Sequence, residues 1–312
     1  MNKLLLAALM TGAFAVPAFA ADYTVMAPAA PGGGWDQTAR TMQEALQTEG
    51  ISGNVQVTNV PGAGGTIGLA QFANQFNGNP NALIVGGYVM VGAVLTNQSP
   101  VSLANVTPIA RLTGESDVIV VPPGSELQSV DDLVAMLKAD PGAVSWAGGS
   151  AGGVDHIAAG LIAKAVGVDP TMVNYIAYSG GGEALAAVLG GQVTVGISGV
   201  GEFAAQIEAG ELRALAVTGD EPFGDIPTLQ SEGVDVVVQN WRMVAAAPGL
   251  TAEQEAAINA DIEKMVASET WTTALETKGW VNTYLAGDDF DAQLAKDIAS
   301  TEAILKDIGL VQ

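Results

Sequence analysis

The stretch that decides the fold is Pro28-Ala29-Ala30-Pro31-Gly32-Gly33-Gly34-Trp35-Asp36-Gln37-Thr38-Ala39-Arg40. The apolar run before it, residues 23–26, predicts a strand. The apolar side chains at positions 39, 42, 45 and 46 recur on one helical face. A glycine turn between a strand and a helix leaves unpaired N–H groups at the helix N-terminus, where the helix dipole favours negative charge. The stretch therefore predicts a site for a small anion.

Three later junctions have the same character, at residues 61–66, 148–153 and 179–182. Hydroxyl groups beside these loops offer further donors, at Thr66, Ser150, Ser179 and Ser198. Any one loop is explained equally well as a tight turn at the end of a strand. Four loops at the carboxyl ends of strands favour a binding function, because α/β sheets bind their ligands at that edge.

Residues 1–20 have the pattern of a cleaved signal peptide. Lys3 supplies the positive charge, residues 4–16 the apolar stretch, and Ala18-Phe19-Ala20 the small-residue cleavage site. The apolar part is shorter than the roughly 20 residues of a membrane span, so a retained anchor is the less favoured alternative. We expect an exported periplasmic protein with no membrane insertion.

Composition limits the possible partners and cofactors. Acidic residues outnumber basic ones by 33 to 11, and the resulting negative field disfavours binding to nucleic acid. The chain has no cysteine and one histidine, and its carboxylates do not cluster along the sequence, so we expect neither a metal site nor a cofactor. An anionic ligand remains compatible with this charge, because salt screens distant charges beyond about 10 Å.

Strands and helices alternate from residue 23 to about 217, which predicts an α/β fold with a mostly parallel sheet. Residues 87–93 are expected to form a glycine-rich segment. Two long extended stretches, 108–121 and 234–247, are expected to cross between two domains, the first interrupted at residues 114–117. After Pro248 the pattern predicts a helical tail with one short strand at 281–285. The expected division is domain I at 21–120, domain II at 121–242, and a return segment of domain I at 243–312.

Two motifs are typical of functions other than ligand binding by a receptor, but each lacks a residue that the other function needs. Residues 148–152 match the G-x-S-x-G nucleophile elbow, but His156 follows Ser150 by six residues. Six helical residues turn the chain by about 240°, so the imidazole would point away from the hydroxyl. Residues 62–67 resemble a dinucleotide fingerprint, but Ile67 replaces the third glycine and the acidic residue about 20 positions later is missing. We therefore expect a protein that is not an enzyme.

Several motifs together resemble those of the substrate-binding proteins of tripartite tricarboxylate transporters. They are residues 28–40, Asn59-Val60-Pro61-Gly62-Ala63-Gly64-Gly65-Thr66-Ile67-Gly68, Tyr178-Ser179-Gly180-Gly181-Gly182-Glu183-Ala184-Leu185, Gly190-Gly191-Gln192-Val193, Leu212-Arg213-Ala214-Leu215-Ala216-Val217 and Ile226-Pro227-Thr228-Leu229-Gln230-Ser231-Glu232-Gly233. The resemblance covers nearly the whole mature chain. It implies a two-domain, type II-like periplasmic binding protein fold whose cleft closes on a ligand carboxylate.

The resemblance also implies a set of ligand-binding residues: Gly33, Gly34, Trp35, Gly64, Gly65, Thr66, Ser150, Ser179 and Gly180, to which we add the Ser198 hydroxyl. Many relatives have Pro-Tyr-Lys-Gly at residues 177–180, so this chain lacks their lysine. The Gly-Gly-Gly-aromatic-Asp pattern at residues 32–36 occurs in citrate-type binders. For Trp35, plain core packing is an equal alternative. Arg242 could meet a distal carboxylate or form a surface ion pair.

The function expected from the sequence is capture of a small carboxylate by a periplasmic monomer. A tricarboxylate such as citrate is favoured and a dicarboxylate is the alternative. The protein would deliver this ligand to the membrane subunits of a tripartite tricarboxylate transporter. The other functions left open are a periplasmic esterase that uses the loop at residues 148–152, and a sensor-linked carboxylate-binding protein without a transport role.

Overall fold

A computed structural model describes residues 21–312, so the expected signal peptide at 1–20 lies outside the described residues. The strands are β1 (Ala21–Ala27), β2 (Ser52–Asn59), β3 (Ala82–Gly87), β4 (Thr107–Val121), β5 (Ser145–Gly148), β6 (Asn174–Ala177), β7 (Val195–Gly199), β8 (Arg213–Val217), β9 (Gln239–Ala246) and β10 (Val281–Ala286). The α-helices are α1 (Gly34–Thr48), α2 (Thr66–Gln75), α3 (Tyr88–Thr96), α4 (Val130–Ala139), α5 (Val154–Ala165), α6 (Gly181–Leu189), α7 (Val200–Glu208), α8 (Ala252–Val266), α9 (Glu269–Lys278) and α10 (Gly287–Asp307). The predicted α/β fold and helical tail are confirmed. No helix in this part of the chain is long and apolar enough to cross a membrane.

The strands form two groups that share β4. We call β2, β1, β3, β9, β10 and the first part of β4 sheet I, and the last part of β4 with β5, β6, β7 and β8 sheet II. Residues 107–116 of β4 pair with β9, and residues 117–121 pair with β7 and β8. At ~3.3 Å per residue, the 15 residues of β4 extend about 50 Å, enough to run through both groups. The division into two domains stays a proposal, with β4 and the stretch 234–247, which contains β9, as its crossovers.

The expectation of a mostly parallel sheet is wrong, because the sheet is mixed. β1 is parallel to β2 and β3, and β5 is parallel to β6 and β7. All pairings of β4 and β9 are antiparallel. The parallel pairs come from the repeated βα units, whereas each crossover strand runs against its neighbours.

One local expectation also needs correction. The first crossover is not interrupted at residues 114–117, because Glu115 and Asp117 lie within β4 and are buried, with their backbones paired to β9 and β7. The glycine-rich segment at residues 87–93 joins a strand to a helix: Gly87 ends β3, and α3 begins at Tyr88.

The buried faces follow the predicted periodicity. Ala39, Met42, Ala45 and Leu46 of α1 are fully buried, as is every residue of β3. This packing places the start of α1 against the carboxyl edge of sheet I.

The end of α10 crosses to the other half of the molecule. Lys164 of α5 forms an ion pair with Asp307, and a Cβ on Gly160 would lie 3.0 Å from the side chain of Ile308. The C-terminal helix thus contacts α3 and β4, and the residues at its end contact α5.

Candidate ligand-binding site

Loops from the two sheets meet around a cavity of ≈ 50 Å³. Its walls include six of the residues that the sequence predicted, which are Gly34, Trp35, Ser150, Ser179, Gly180 and Ser198. A second cavity, of ≈ 300 Å³, is lined by Gly64 together with Ser150 and Ser179. The structure therefore brings most of the predicted residues to one place, and contact between them and a ligand stays a prediction.

The remaining predicted residues support the walls. A Cβ on Gly65 would lie 2.7 Å from the ring of Trp35, and the Thr66 hydroxyl donates to the carbonyl of Ala63 at 2.8 Å. A Cβ on Gly180 would lie 3.6 Å from Cα of Gly33, which brings these two loops together across the cleft. Neither Gly65 nor Thr66 lines the two cavities, so their place in the predicted binding set is indirect.

The first loop is held by an acidic residue of its own helix. The Gly32 amide donates to Asp36 at 2.8 Å, and Asp36 is paired with Arg40 and accepts from Asn59. Burial alone would raise the pKa of Asp36, but its bonds to Arg40, Gly32 and Asn59 together lower it. Trp35, one residue earlier, is nearly buried and reaches both the cavity and Gly65, so it combines core packing with a place in the cleft wall.

The loops of sheet II are held in the same way. The Gly149 amide donates to Asp155 at 2.6 Å, and the Ser179 amide donates to Glu183 at 3.1 Å. The loops were expected to offer their amides freely to a ligand. In these loops an internal carboxylate already occupies some of them, so a ligand must use the remaining donors.

Arg242 of β9 lies in the cavity wall. The expectation that it forms an ion pair on the surface is wrong. The arginine is paired with Glu115 of β4, and the two side chains are only 3% and 1% exposed. A Cβ on Gly34 would overlap the Arg242 guanidinium, so glycine is needed where α1 begins. Within the described chain, Nη1 of Arg242 has no hydrogen-bond partner. This buried cation retains an unused donor.

Three more acidic side chains surround the pair, so the carboxylates that are scattered along the sequence do cluster in the fold. Burial raises the pKa of Asp117 well above its usual range, and nearby Asp155, Glu115 and Glu202 raise it further. Burial raises the pKa of Asp155 to about 7, and burial followed by the charge of Glu115 raises that of Glu202. Among residues 21–312, no group of three or more His, Cys, Asp or Glu side chains is arranged to hold a metal ion.

His156 is engaged within its own loop. Its Nδ1 accepts from the Gly152 amide at 3.2 Å, and its ring stacks on Tyr175 with 4.1 Å between centroids. Burial lowers the pKa of His156 to about 4. The imidazole thus supports the loop that carries Ser150, because its Nδ1 is directed at the backbone.

The chain is similar in sequence and in fold to several known proteins. Residues 38–310 match the model of the tripartite tricarboxylate transporter family receptor. Protein BugT of Bordetella pertussis is 27% identical over 311 residues, which cover 96% of this chain and 94% of BugT. The structure of the periplasmic binding protein BugD superposes with a TM-score of 0.84 at 21% identity, over 93% of this chain and 98% of BugD. MatC from Rhodopseudomonas palustris, solved with bound malate, gives a TM-score of 0.78 at 22% identity, over 91% and 98% of the two chains. By its family match, this chain belongs to the receptors of the tripartite tricarboxylate transporter family.

Proposed function

We propose that this receptor binds a small carboxylate in the cleft between its two halves and delivers it to a membrane transporter. The observation that carries the proposal is the cavity, which joins loops of both sheets to a buried arginine with an unused donor. Family membership and the malate bound to MatC support the ligand class. Periplasmic location agrees with the family, and cleavage after residue 20 stays a prediction.

In this proposal one ligand carboxylate accepts from Nη1 of Arg242. The first turn of α1 adds donors, because the first N–H groups of a helix have no partner within it. Ser150 and Ser179 line the same cavity from sheet II, and their hydroxyls are the donors proposed on that side. Fixed amides and hydroxyls suit a carboxylate because they replace its lost water without the desolvation of another buried charge.

The size of the cavity supports a closing motion. A volume of ≈ 50 Å³ holds a few water molecules, since one water needs roughly 10–15 Å³ by this measure. A dicarboxylate is larger, so we propose that the halves separate to admit it and close again around it. Small-angle scattering should give a smaller radius of gyration with saturating ligand than without ligand, and identical curves would contradict the hinge.

A thermal-shift screen with mono-, di- and tricarboxylates tests the ligand class, with the corresponding amides as uncharged controls. A carboxylate at 100 times its dissociation constant should add about 2.7 kcal/mol to the free energy of unfolding. Citrate tests the tricarboxylate expectation and malate the dicarboxylate alternative. If no carboxylate at millimolar concentration raises the melting temperature, the proposed function is wrong.

Delivery needs a separate test, because a sensor-linked receptor would bind the same ligand. We expect the loaded protein to be captured by the membrane subunits of a transporter in detergent, and the ligand-free protein to be captured less well. Equal capture of both forms would argue against delivery by the closed state.

A further inference from the structure

Four acidic side chains lie in or beneath the wall of the cleft cavity, where they share one cation. Glu115, Asp117 and Asp155 are 1%, 0% and 5% exposed, and Asp155 and Glu202 line the cavity itself. Among the described residues that line this cavity, Arg242 is the one cation, and it is paired with Glu115. A ligand carboxylate therefore enters a site that already holds more acids than cations.

Two of the four acids add little charge to the site. The charge of Glu115 is offset by Arg242. Both carboxyl oxygens of Asp117 are buried without a hydrogen-bond partner in the part of the chain that the structure describes. An ionised carboxylate with neither water nor donors is costly, so Asp117 holds a proton, and burial raises its pKa well above the usual range. Asp155 and Glu202 are left to meet the charge of a ligand.

Glu202 has partners that favour its ionised form. Its Oε2 accepts from the Ser198 hydroxyl at 2.6 Å, and the Gly34 amide also donates to its carboxylate. Burial and then the charge of Glu115 raise the pKa of Glu202, whereas Arg242 and these two hydrogen bonds oppose the rise. Glu202 is therefore the acid better able to stay ionised beside a second anion.

Asp155 has no such cation. The Gly149 amide donates to its Oδ2 at 2.6 Å, but none of the ion pairs within residues 21–312 includes it. A Cβ on Gly148 would lie 3.0 Å from the same oxygen, so the loop packs closely over the carboxyl. Burial raises the pKa of Asp155 to about 7, although the bond from Gly149 opposes this rise. Near neutral pH Asp155 is thus half titrated, and a further negative charge nearby favours its protonated form.

The other titratable groups around Asp155 are neutral at this pH. Tyr175 of β6 donates to the Gly149 carbonyl at 2.7 Å, and burial raises the pKa of its hydroxyl well above the usual range. His156 follows Asp155 on α5, its Nδ1 accepts from Gly152, and burial lowers its pKa to about 4. The remaining acids and cations that face Asp155 or its acidic neighbours are those already described: Glu115 and Asp117 of β4, Glu202 of α7 and Arg242 of β9.

We propose that Asp155 takes up a proton from the solvent when the cleft closes on a ligand carboxylate, so that the receptor holds its ligand more tightly as the pH falls. This inference rests on the proposed function and describes a regulation of the same site. The ligand carboxylate shares a small cavity with Asp155, and its charge raises the cost of the ionised form. Because binding then consumes a proton, the association constant falls as the pH rises, by at most about tenfold per pH unit for one group.

Calorimetry on the wild-type protein tests this, with L-malate, succinate and citrate as probes. The titrations run from pH 7 to 9, where the carboxyls of these acids are ionised and do not titrate themselves. We expect the dissociation constant to rise by about fivefold or more across this range. At pH 8, the heats measured in HEPES and in Tris, which differ in ionisation enthalpy, should show uptake of about half a proton to one proton per ligand bound.

The Asp155→Asn variant isolates the proposed group. It cannot titrate, and its amide oxygen can still accept from Gly149. We expect its affinity to be the same from pH 7 to 9 and to exceed that of the wild-type protein at pH 9, with no proton uptake. A merely structural role for Asp155 would weaken binding at every pH. Asp131→Asn is the matched control, because Asp131 lies exposed in the first turn of α4, and it should keep the wild-type profile.

Each outcome decides the inference. A wild-type affinity that is constant from pH 7 to 9 without proton uptake overturns it, even if Asp155→Asn does not fold. A pH profile that Asp155→Asn retains also overturns it. In both cases a carboxylate still binds, so the proposed function stands. If none of the three probes binds, the inference is overturned, and the proposed function fails with it when the whole thermal-shift screen is also negative.

Discussion

Replacing Arg242 by methionine should destabilise the protein strongly. The arginine and Glu115 are almost completely buried, and the substitution leaves Glu115 without its cation among Asp117 and Glu202. Two unit charges about 4 Å apart attract by about 4 kcal/mol at an effective dielectric constant of about 20. Breaking a buried pair by removing one partner typically costs about 3–5 kcal/mol. We therefore expect Arg242→Met to lower the free energy of unfolding by about 3–5 kcal/mol.

Urea unfolding of ligand-free protein, followed by far-UV circular dichroism, measures this loss. Lys306→Met is the control, because the side chains of the Lys306–Glu302 pair are 52% and 45% exposed, and such a pair contributes about 1 kcal/mol or less. The double variant Arg242→Met with Glu115→Gln removes both charges and should recover at least half of the loss. The reasoning is refuted if Arg242→Met costs no more than Lys306→Met. It is also refuted if the double variant loses as much as the separate losses of Arg242→Met and Glu115→Gln added together.

Three further predictions concern the same cavity. Because the pKa of Asp155 is raised to about 7, the native protein keeps a proton that the unfolded chain releases near pH 4. The free energy of unfolding of the wild-type protein, compared with that of Asp155→Asn, should therefore fall by up to about 1.4 kcal/mol for each pH unit as the pH rises from 4 to 7. Urea unfolding of both proteins across that pH range measures this difference. Gly34→Ala should displace Arg242 and weaken ligand binding at least tenfold in calorimetry, whereas Gly124→Ala, whose Cβ would meet no atom of residues 21–312 within 4 Å, should not. Ser150→Ala should weaken carboxylate binding by about 1–2 kcal/mol, and ester hydrolysis by wild-type protein that this variant lacks would show an enzyme.

The glycine loops were predictable because the signal is local. A strand, a glycine turn and a helix follow one another within a few residues at Gly34 and again at Ser150, and parallel βα units bring such turns to one edge. The acidic residues that accept hydrogen bonds from the loop amides were also partly predictable from the sequence. Asp36 and Glu183 each follow the amide that they accept from by four residues.

The charged cluster was not predictable by the same means. Arg242 and Glu115 are 127 positions apart and meet only because β4 and β9 pair side by side. In the sequence, Glu115 and Asp117 resemble a polar break in an apolar run, and the strand alternation that turns them inward is hidden by residues buried on both faces. An acid or arginine in the middle of a long apolar stretch was the available signal, since such residues are rarely buried without a partner.

The contact between α10 and α5 gives the proposed hinge a third connection between the two halves, in addition to the two crossovers. When the halves separate, the end of α10 must either move together with α5 or lose its contact with α5. The Lys164–Asp307 pair is about half exposed at both side chains, and exposed pairs of this kind are worth about 1 kcal/mol or less. Such a contact is too weak to hold the receptor shut without ligand and adds at most a small preference for the closed form. In the proposed hinge, removing the Lys164–Asp307 pair would therefore shift the balance between open and closed forms only slightly, and the ligand would supply most of the free energy of closure.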